Sequence, residues 1–221
     1  MDFITDMAVG LNCIKKEIIL KTQEQAIQYM RDFIEGRVST EDFWTTYKSS
    51  ELLQELLIND EKRPIEVRDC DFAPKNLLKA IDISKLQHKY QLWEAVWGYF
   101  HFREEKLKSK NSDAEKYLNL QKMLPAWLDI REEDLLLGIY NSAPNNLTKA
   151  DKLNYCKDKV KEIFKFDNKP PRWVQNPEWP IVNGKPLVFR NQSKEAPDDQ
   201  RVFFYFYNPD TKEETIIEQL Y

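Results

Sequence analysis

The stretch Val202-Phe203-Phe204-Tyr205-Phe206-Tyr207-Asn208-Pro209-Asp210-Thr211, followed closely by Thr215-Ile216-Ile217, decides the fold class. Six consecutive β-branched or aromatic residues favour an extended strand. Asn208 to Thr211 then makes a turn, with proline already holding the φ that its second position needs. The two-residue period of a strand puts Val202, Phe204 and Phe206 on one face and Phe203, Tyr205 and Tyr207 on the other. Upstream, Leu187 to Phe189 is another β-type run. Asn183-Gly184 between short apolar runs is a hairpin signal, because both residues tolerate positive φ. Seven of the eleven prolines lie at 170–209, so the composition changes near residue 168. Residues 169–221 are therefore expected to form a small antiparallel β-meander. So few strands need a packing surface, and the surface expected is the helical part of the chain.

Residues 1–168 are predicted to form a helical domain. Thr22 with Gln25 has capping-box spacing, and Ala26, Ile27, Met30, Phe33 and Ile34 follow at helical intervals, with Gly36 suited to the C′ position. Ser39 with Asp42, Ser84 with Gln87, Ser112 with Glu115 and Thr148 with Asp151 mark further starts. The helix after Ser84 should run for about 20 residues. In the helix after Thr148, Leu153, Cys156, Val160, Ile163 and Phe164 form one stripe. The chain as a whole reads as α+β: a mainly helical body of six to eight helices with a C-terminal antiparallel meander.

Aromatic residues, 13% of the chain, concentrate in two places. Tyr90 to Phe102 is apolar around most of a helix, which belongs in the centre of a helical assembly. Gly98 inside that helix costs about 1 kcal/mol relative to alanine, so a close helix crossing is expected there. The second concentration is Phe203 to Tyr207. Its Phe203, Tyr205 and Tyr207 face is the candidate partner-binding surface, since tyrosine is enriched in interface cores.

Thirty-three Lys and Arg against 37 Asp and Glu leave a net charge of −4, and a nucleic-acid binder usually carries a basic excess. Six lysines between Lys149 and Lys165 alternate with Asp151, Asp158 and Glu162 and lack interleaved arginine, so a solvated helix face is the expected reading. Cys13, Cys70 and Cys156 are single and widely spaced, with no CxxC pair, and read as reduced thiols. Acidic residues precede the first lysines, unlike a secretory leader, and no apolar run reaches membrane-spanning length. A cytoplasmic location is expected.

The chemistry-bearing residues do not assemble into a known motif. His88 and His101 lie thirteen positions apart, nearly 20 Å along a helix, too far to share a metal. No phosphate loop, GxGxxG, GxSxG or HExxH occurs. Acidic pairs such as Glu132-Glu133 and Asp198-Asp199 are ordinary in a chain with 37 carboxylates. No catalytic, cofactor-binding or metal residue is assigned, and no cofactor is expected.

Pro170-Pro171-Arg172-Trp173-Val174-Gln175-Asn176-Pro177-Glu178-Trp179-Pro180, Asn183-Gly184-Lys185-Pro186-Leu187-Val188-Phe189 and the ending Asn208 to Gln219 carry a resemblance. They resemble the tail of small uncharacterised bacterial proteins, some of which stand beside polymorphic or contact-dependent toxins as immunity proteins. The resemblance covers residues 170–221. The same residues have a structural use: Trp173 and Trp179 can clamp a proline-stiffened approach to the sheet. Lys212 departs from the pattern, where glycine is expected; a left-handed lysine costs about 1–2 kcal/mol. The resemblance implies a non-catalytic cytosolic protein-binding module that occludes the active site of a toxin domain; the charge balance and the lack of a long apolar run make neither nucleic acid nor membrane an expected partner. An enzyme with an unrecognised active site, or a regulatory or scaffold protein of a phage or mobile element, are the rival readings.

Overall fold

A computed structural model describes residues 18–68, 70, 73–130, 132–194 and 200–221. Cys13, the reading of the first residues as lacking a leader, and Asp198-Asp199 lie outside them. Among the described residues nine helices precede five strands, giving an α+β chain with a helical body and a C-terminal antiparallel sheet. Two of the nine are single turns of four residues, which leaves seven longer ones.

The chain forms two compact units, and none of the three boundaries between them falls at residue 168. The first runs to Ala80 and resumes over Leu92–Asn111; the second holds Ile81–Gln91 and Ser112–Tyr221. The proline-rich change in composition separates helices from strands without separating cores. The sheet shares its core with the three helices before it.

In the first unit lie α1 (Gln23–Ile34), α2 (Thr40–Ser49), α3 (Glu51–Ile58), α4 (Ile65–Arg68) and α5 (Pro74–Leu77). α6 (Leu86–His101) begins in the second unit and passes into the first at Leu92. Thr22 caps α1 through the Gln25 N–H at 3.3 Å, and the Gln25 side chain reaches back to the Lys21 N–H at 2.8 Å. Ser39 caps α2 through the Asp42 N–H. The spacing of apolar residues on these helices then brings Phe33 onto Phe43 at 4.2 Å between ring centres, with Met30, Ile34, Leu53 and Leu57 also fully buried. Gly36 has φ +75°, and a Cβ there would stand 2.5 Å from the Lys110 carbonyl oxygen. Both its conformation and its neighbour therefore require glycine.

The residues α6 contributes to the first unit are mostly buried, among them Leu92, Trp93, Val96, Tyr99 and Phe100. At Gly98, where a close helix crossing was expected, the nearest neighbours among the described residues are side-chain atoms of Arg63. The Arg63 guanidinium occupies that space instead, donating from Nη2 to the Ala95 carbonyl.

In the second unit are α7 (Ser112–Met123), α8 (Glu133–Asn141) and α9 (Lys149–Ile163). Thr148 caps α9 through the Asp151 N–H at 3.2 Å. The first turn of α6 is capped differently from the expected Ser84–Gln87 box. Ser84 turns to Asp82, while the Glu133 carboxylate accepts the N–H groups of Leu86 and Gln87 at 2.7 and 2.9 Å. An anion at a helix N-terminus satisfies orphan donors and complements the helix dipole. The helix has 16 residues, shorter than expected.

β1 (Ile181–Val182) and β2 (Lys185–Pro186) flank the Asn183-Gly184 turn, whose φ values of 51° and 73° match the hairpin expected there. β3 (Val188–Ser193), β4 (Arg201–Tyr207) and β5 (Glu214–Leu220) make an antiparallel sheet in that order. Val202, Phe204 and Phe206 are buried on its inner face with Leu120, Leu136, Cys156, Val160 and Phe164. Trp173 stacks on Phe204 at 4.5 Å, and Trp179 packs on Phe206 at 5.3 Å while donating to the Leu187 carbonyl. The two tryptophans thus clamp the proline-stiffened segment onto the sheet.

Candidate functional site

Alternation in β4 leaves Phe203, Tyr205 and Tyr207 half-buried on the outer face, while their neighbours Val202, Phe204 and Phe206 are buried. Strand register then adds a second row. Glu218 pairs with Phe203, Ile216 with Tyr205, Glu214 with Tyr207 and Leu220 with Arg201. Ile216 is 55% exposed and Leu220 51%, so the three aromatics are continuous with apolar surface on the next strand. Thr215, Ile217 and Gln219 point the other way and are more buried.

A polar and charged rim holds the aromatic rings. Ser193 Oγ donates to Tyr205 Oη at 3.2 Å. Tyr207 Oη donates to Asp167 Oδ1 at 3.2 Å, a contact made possible because Asp167 N and Phe189 O bond the segment after α9 alongside β3. Burial, the Asp167 charge and that hydrogen bond all push the Tyr207 phenol upward, so it stays protonated in neutral solution. The β3–β4 register shifts between Phe189 and Asn191, a bulge that re-aims Arg190. Its guanidinium lies 4.9 Å from the Tyr207 ring centre and is paired with Glu214. Arg201 lies 5.8 Å from the Phe203 ring.

Phe203, Tyr205 and Tyr207, singled out from the sequence, thus share one accessible face. Ile216 and Leu220 belong to it and were not singled out. Their alternation with Glu214 and Glu218 was present in the sequence, but their neighbours across the sheet depend on the β4–β5 register. Gln219 was also missed. It is buried, and its Oε1 accepts the N–H groups of Val174 and Gln175 while its Nε2 donates to the Asn176 carbonyl. It ties the approach segment beneath β5.

A cleft of about 460 Å³ in the first unit bears on the enzyme reading. Asp60, Glu55, Tyr99 and Arg103 are among its lining residues. Asp60 is already committed: its Oδ1 meets Arg103 Nη2 at 2.8 Å and the Lys62 N–H at 3.2 Å, and its Oδ2 meets Arg63 Nε at 3.3 Å. Arg103 in turn lies 3.6 Å above the Tyr99 ring. Burial raises the Tyr99 phenol and lowers the Arg63 guanidinium. The arrangement neutralises a buried carboxylate between two guanidinium groups.

His88 Nδ1 accepts the Asp82 N–H at 2.9 Å, and His101 stacks on Trp97 at 4.4 Å. Among the described residues no group of three or more His, Cys, Asp or Glu could hold a metal ion, and no helix is long and apolar enough to cross a membrane. The lysines of α9 are largely engaged: Lys149 with Glu115, Lys159 with Glu162, Lys161 with Asp158, and Lys152 over the Tyr140 ring. No protein family, curated protein or solved structure matches this chain.

Proposed function

We propose that this chain is a non-catalytic cytosolic protein-binding module, and that the outer face around Phe203, Tyr205 and Tyr207 is its contact surface. The observation that supports this is a row of half-buried aromatics joined to exposed Ile216 and Leu220. A contiguous apolar patch rimmed by polar groups is what a monomer seldom keeps without a partner. Tyrosine supplies large rigid contact area with a polar tip, as interface cores favour. The specific partner class proposed is a toxin domain whose active site this chain occludes, in keeping with the resemblance of residues 170–221 to immunity proteins. The net charge of −4 would speed association with a basic toxin.

The test is co-expression with the product of the gene beside this one. Protection of the cell and a one-to-one complex are expected. Tyr205→Arg should abolish both while leaving the fold intact, because a central interface aromatic is commonly worth about 2 kcal/mol or more. A chain that neither binds nor protects, or a Tyr205→Arg variant that protects fully, refutes the reading.

A further inference from the structure

The free edge of the sheet points to how a partner would be held. Tyr221 N donates to Gln200 O and Asn208 N to Glu213 O, both at 2.9 Å. Those two bonds flank the β4–β5 ladder and fix its phase. With Val202 opposite Gln219 and Phe204 opposite Ile217, residues 215, 217 and 219 turn their backbone groups toward β4. Glu214, Ile216, Glu218 and Leu220 turn theirs outward. Among the described residues nothing pairs with that edge: β5 is the last strand of the sheet, and its only neighbour is β4. The opposite edge is different, because the segment at Phe166 bridges Phe189 on β3.

β5 carries no proline, lysine or bulge, three of the devices that blunt an open edge, and its two glutamates are the charges that guard it. The same four residues whose backbone faces outward also present their side chains on the outer face, in the order acidic, apolar, acidic, apolar. Glu214 is paired with Arg190, whereas Glu218 has no cationic partner among the described residues. Pairing with a second copy would gather the glutamates of both edges on one face, which disfavours self-association.

We propose that β5 docks an extended segment of a partner protein by strand addition, and that the segment alternates basic and apolar side chains. This rests on the protein-binding reading above and specifies its geometry. Basic residues would lie beside Glu214 and Glu218, and apolar residues beside Ile216 and Leu220, extending the Phe203–Tyr205–Tyr207 face by one strand. Main-chain bonds would supply affinity and the alternating side chains specificity.

A peptide of about nine residues repeating lysine, threonine, valine and threonine is the probe, the length matching a strand of this size. It is expected to bind the full chain and to slow hydrogen exchange at the amides of Ile216, Glu218 and Leu220. The amides of Thr215, Ile217 and Gln219 already serve β4 and should change little. A peptide N-methylated at alternate residues, in the phase that faces β5, should bind at least about tenfold more weakly, and so should one with glutamate replacing lysine. Glu218→Lys should reverse the preference between the lysine and glutamate peptides. Ile216→Pro removes an outward N–H without removing a ladder bond, a position where edge strands tolerate proline. It should therefore fold and lose the peptide. Equal binding of the N-methylated peptide, binding without edge protection, no binding, or a concentration-dependent dimer protected at the same amides would each overturn the proposal. If a protein partner is lost with Tyr205→Arg but retained by Ile216→Pro, strand addition fails while the contact face stands. Loss of neither defeats the face as well.

Discussion

Gly98 and Arg63 fit together so closely that a Cβ on Gly98 would lie 2.7 Å from the Arg63 Nη1. The guanidinium has little freedom to yield. Its Nη2 donates to Ala95 O, its Nε faces Asp60 Oδ2, and it lies 5.7 Å from the Phe102 ring centre. Gly98→Ala gains about 1 kcal/mol of helix propensity but pushes a buried cation from its anion, and breaking such a pair costs about 3–5 kcal/mol. A net loss of about 2–4 kcal/mol is expected in urea unfolding. Arg63→Met forfeits the same pair and vacates the space, so the double variant should lose little more than Arg63→Met alone. Purely additive losses in this double-mutant cycle would refute the coupling.

The same pair shows where the sequence stops being readable. Caps at Thr22, Ser39 and Thr148 lie three residues from the N–H groups they accept, so local spacing reveals them. The α6 cap comes from Glu133, 47 positions after Leu86, and no window along the chain contains both. Gly98 likewise looked like a helix crossing because its neighbour in space, Arg63, is remote in sequence. The two faces of β4 follow from alternation alone. The addition of Ile216 and Leu220 to its outer face requires the β5 register, and the open edge requires knowing which strand comes last.

Lys212 has φ +66°, the left-handed conformation for which glycine was expected. The turn bonds Lys212 N to Asn208 O and Asn208 N to Glu213 O, both at 2.9 Å, so the backbone is committed to it. Lys212→Gly removes about 1–2 kcal/mol of strain. It also loses the bond from Nζ to the Pro209 carbonyl and gives the unfolded chain more freedom. A gain of about 0.5–1 kcal/mol should remain, a rise of about 2 °C in Tm for a chain of this size. Lys212→Val, with branching at Cβ, should lower Tm.

Gln219 satisfies three backbone groups with one buried side chain. Gln219→Ala leaves the Val174 and Gln175 donors and the Asn176 acceptor without it. At about 1–3 kcal/mol for each buried group left unpaired, partial access to water should limit the total to about 2–4 kcal/mol. Gln219→Glu keeps the acceptor but turns a carboxylate oxygen toward the Asn176 carbonyl. Protonation restores a donor there, so the fold holds the new carboxyl above its ordinary value of about 4.3, and the deficit of this variant relative to wild type should shrink as pH falls toward that value and level off below it. Thermal unfolding of both variants across that range is the measurement.

Tyr29 donates to the Asp42 carbonyl at 3.3 Å and lies 3.0 Å from Thr46 Oγ1; burial raises its phenol above the ordinary 10.0. Burial does the same to Tyr47. A phenol raised on folding is kept neutral by the native state. Its contribution is therefore whole below pH 10 and is lost as pH climbs through the folded value. Alkaline titration should show exposed tyrosines ionising first, with Tyr29 and Tyr47 lagging and ionising as helical circular dichroism collapses. Tyr29→Phe should resist alkali better than the parent. Ionisation of every tyrosine at one pH without loss of ellipticity would contradict the burial argument.

Cys156 is fully buried on α9 with Val160, its Sγ 4.0 Å from the Ile139 carbonyl, and burial pushes the thiol up despite the nearby Lys152 charge. Thiolate is the reactive form, so both access and ionisation oppose its modification. Cys70 is only half-buried. In native protein at mild alkaline pH, peptide mapping should find Cys70 alkylated within minutes and Cys156 untouched, since its labelling requires opening of the core around α9. Denaturant below the unfolding midpoint should then accelerate Cys156 in proportion to the opened fraction while leaving Cys70 nearly unchanged. Equal rates for the two thiols in the absence of denaturant would mean that α9 does not close over Cys156 in solution.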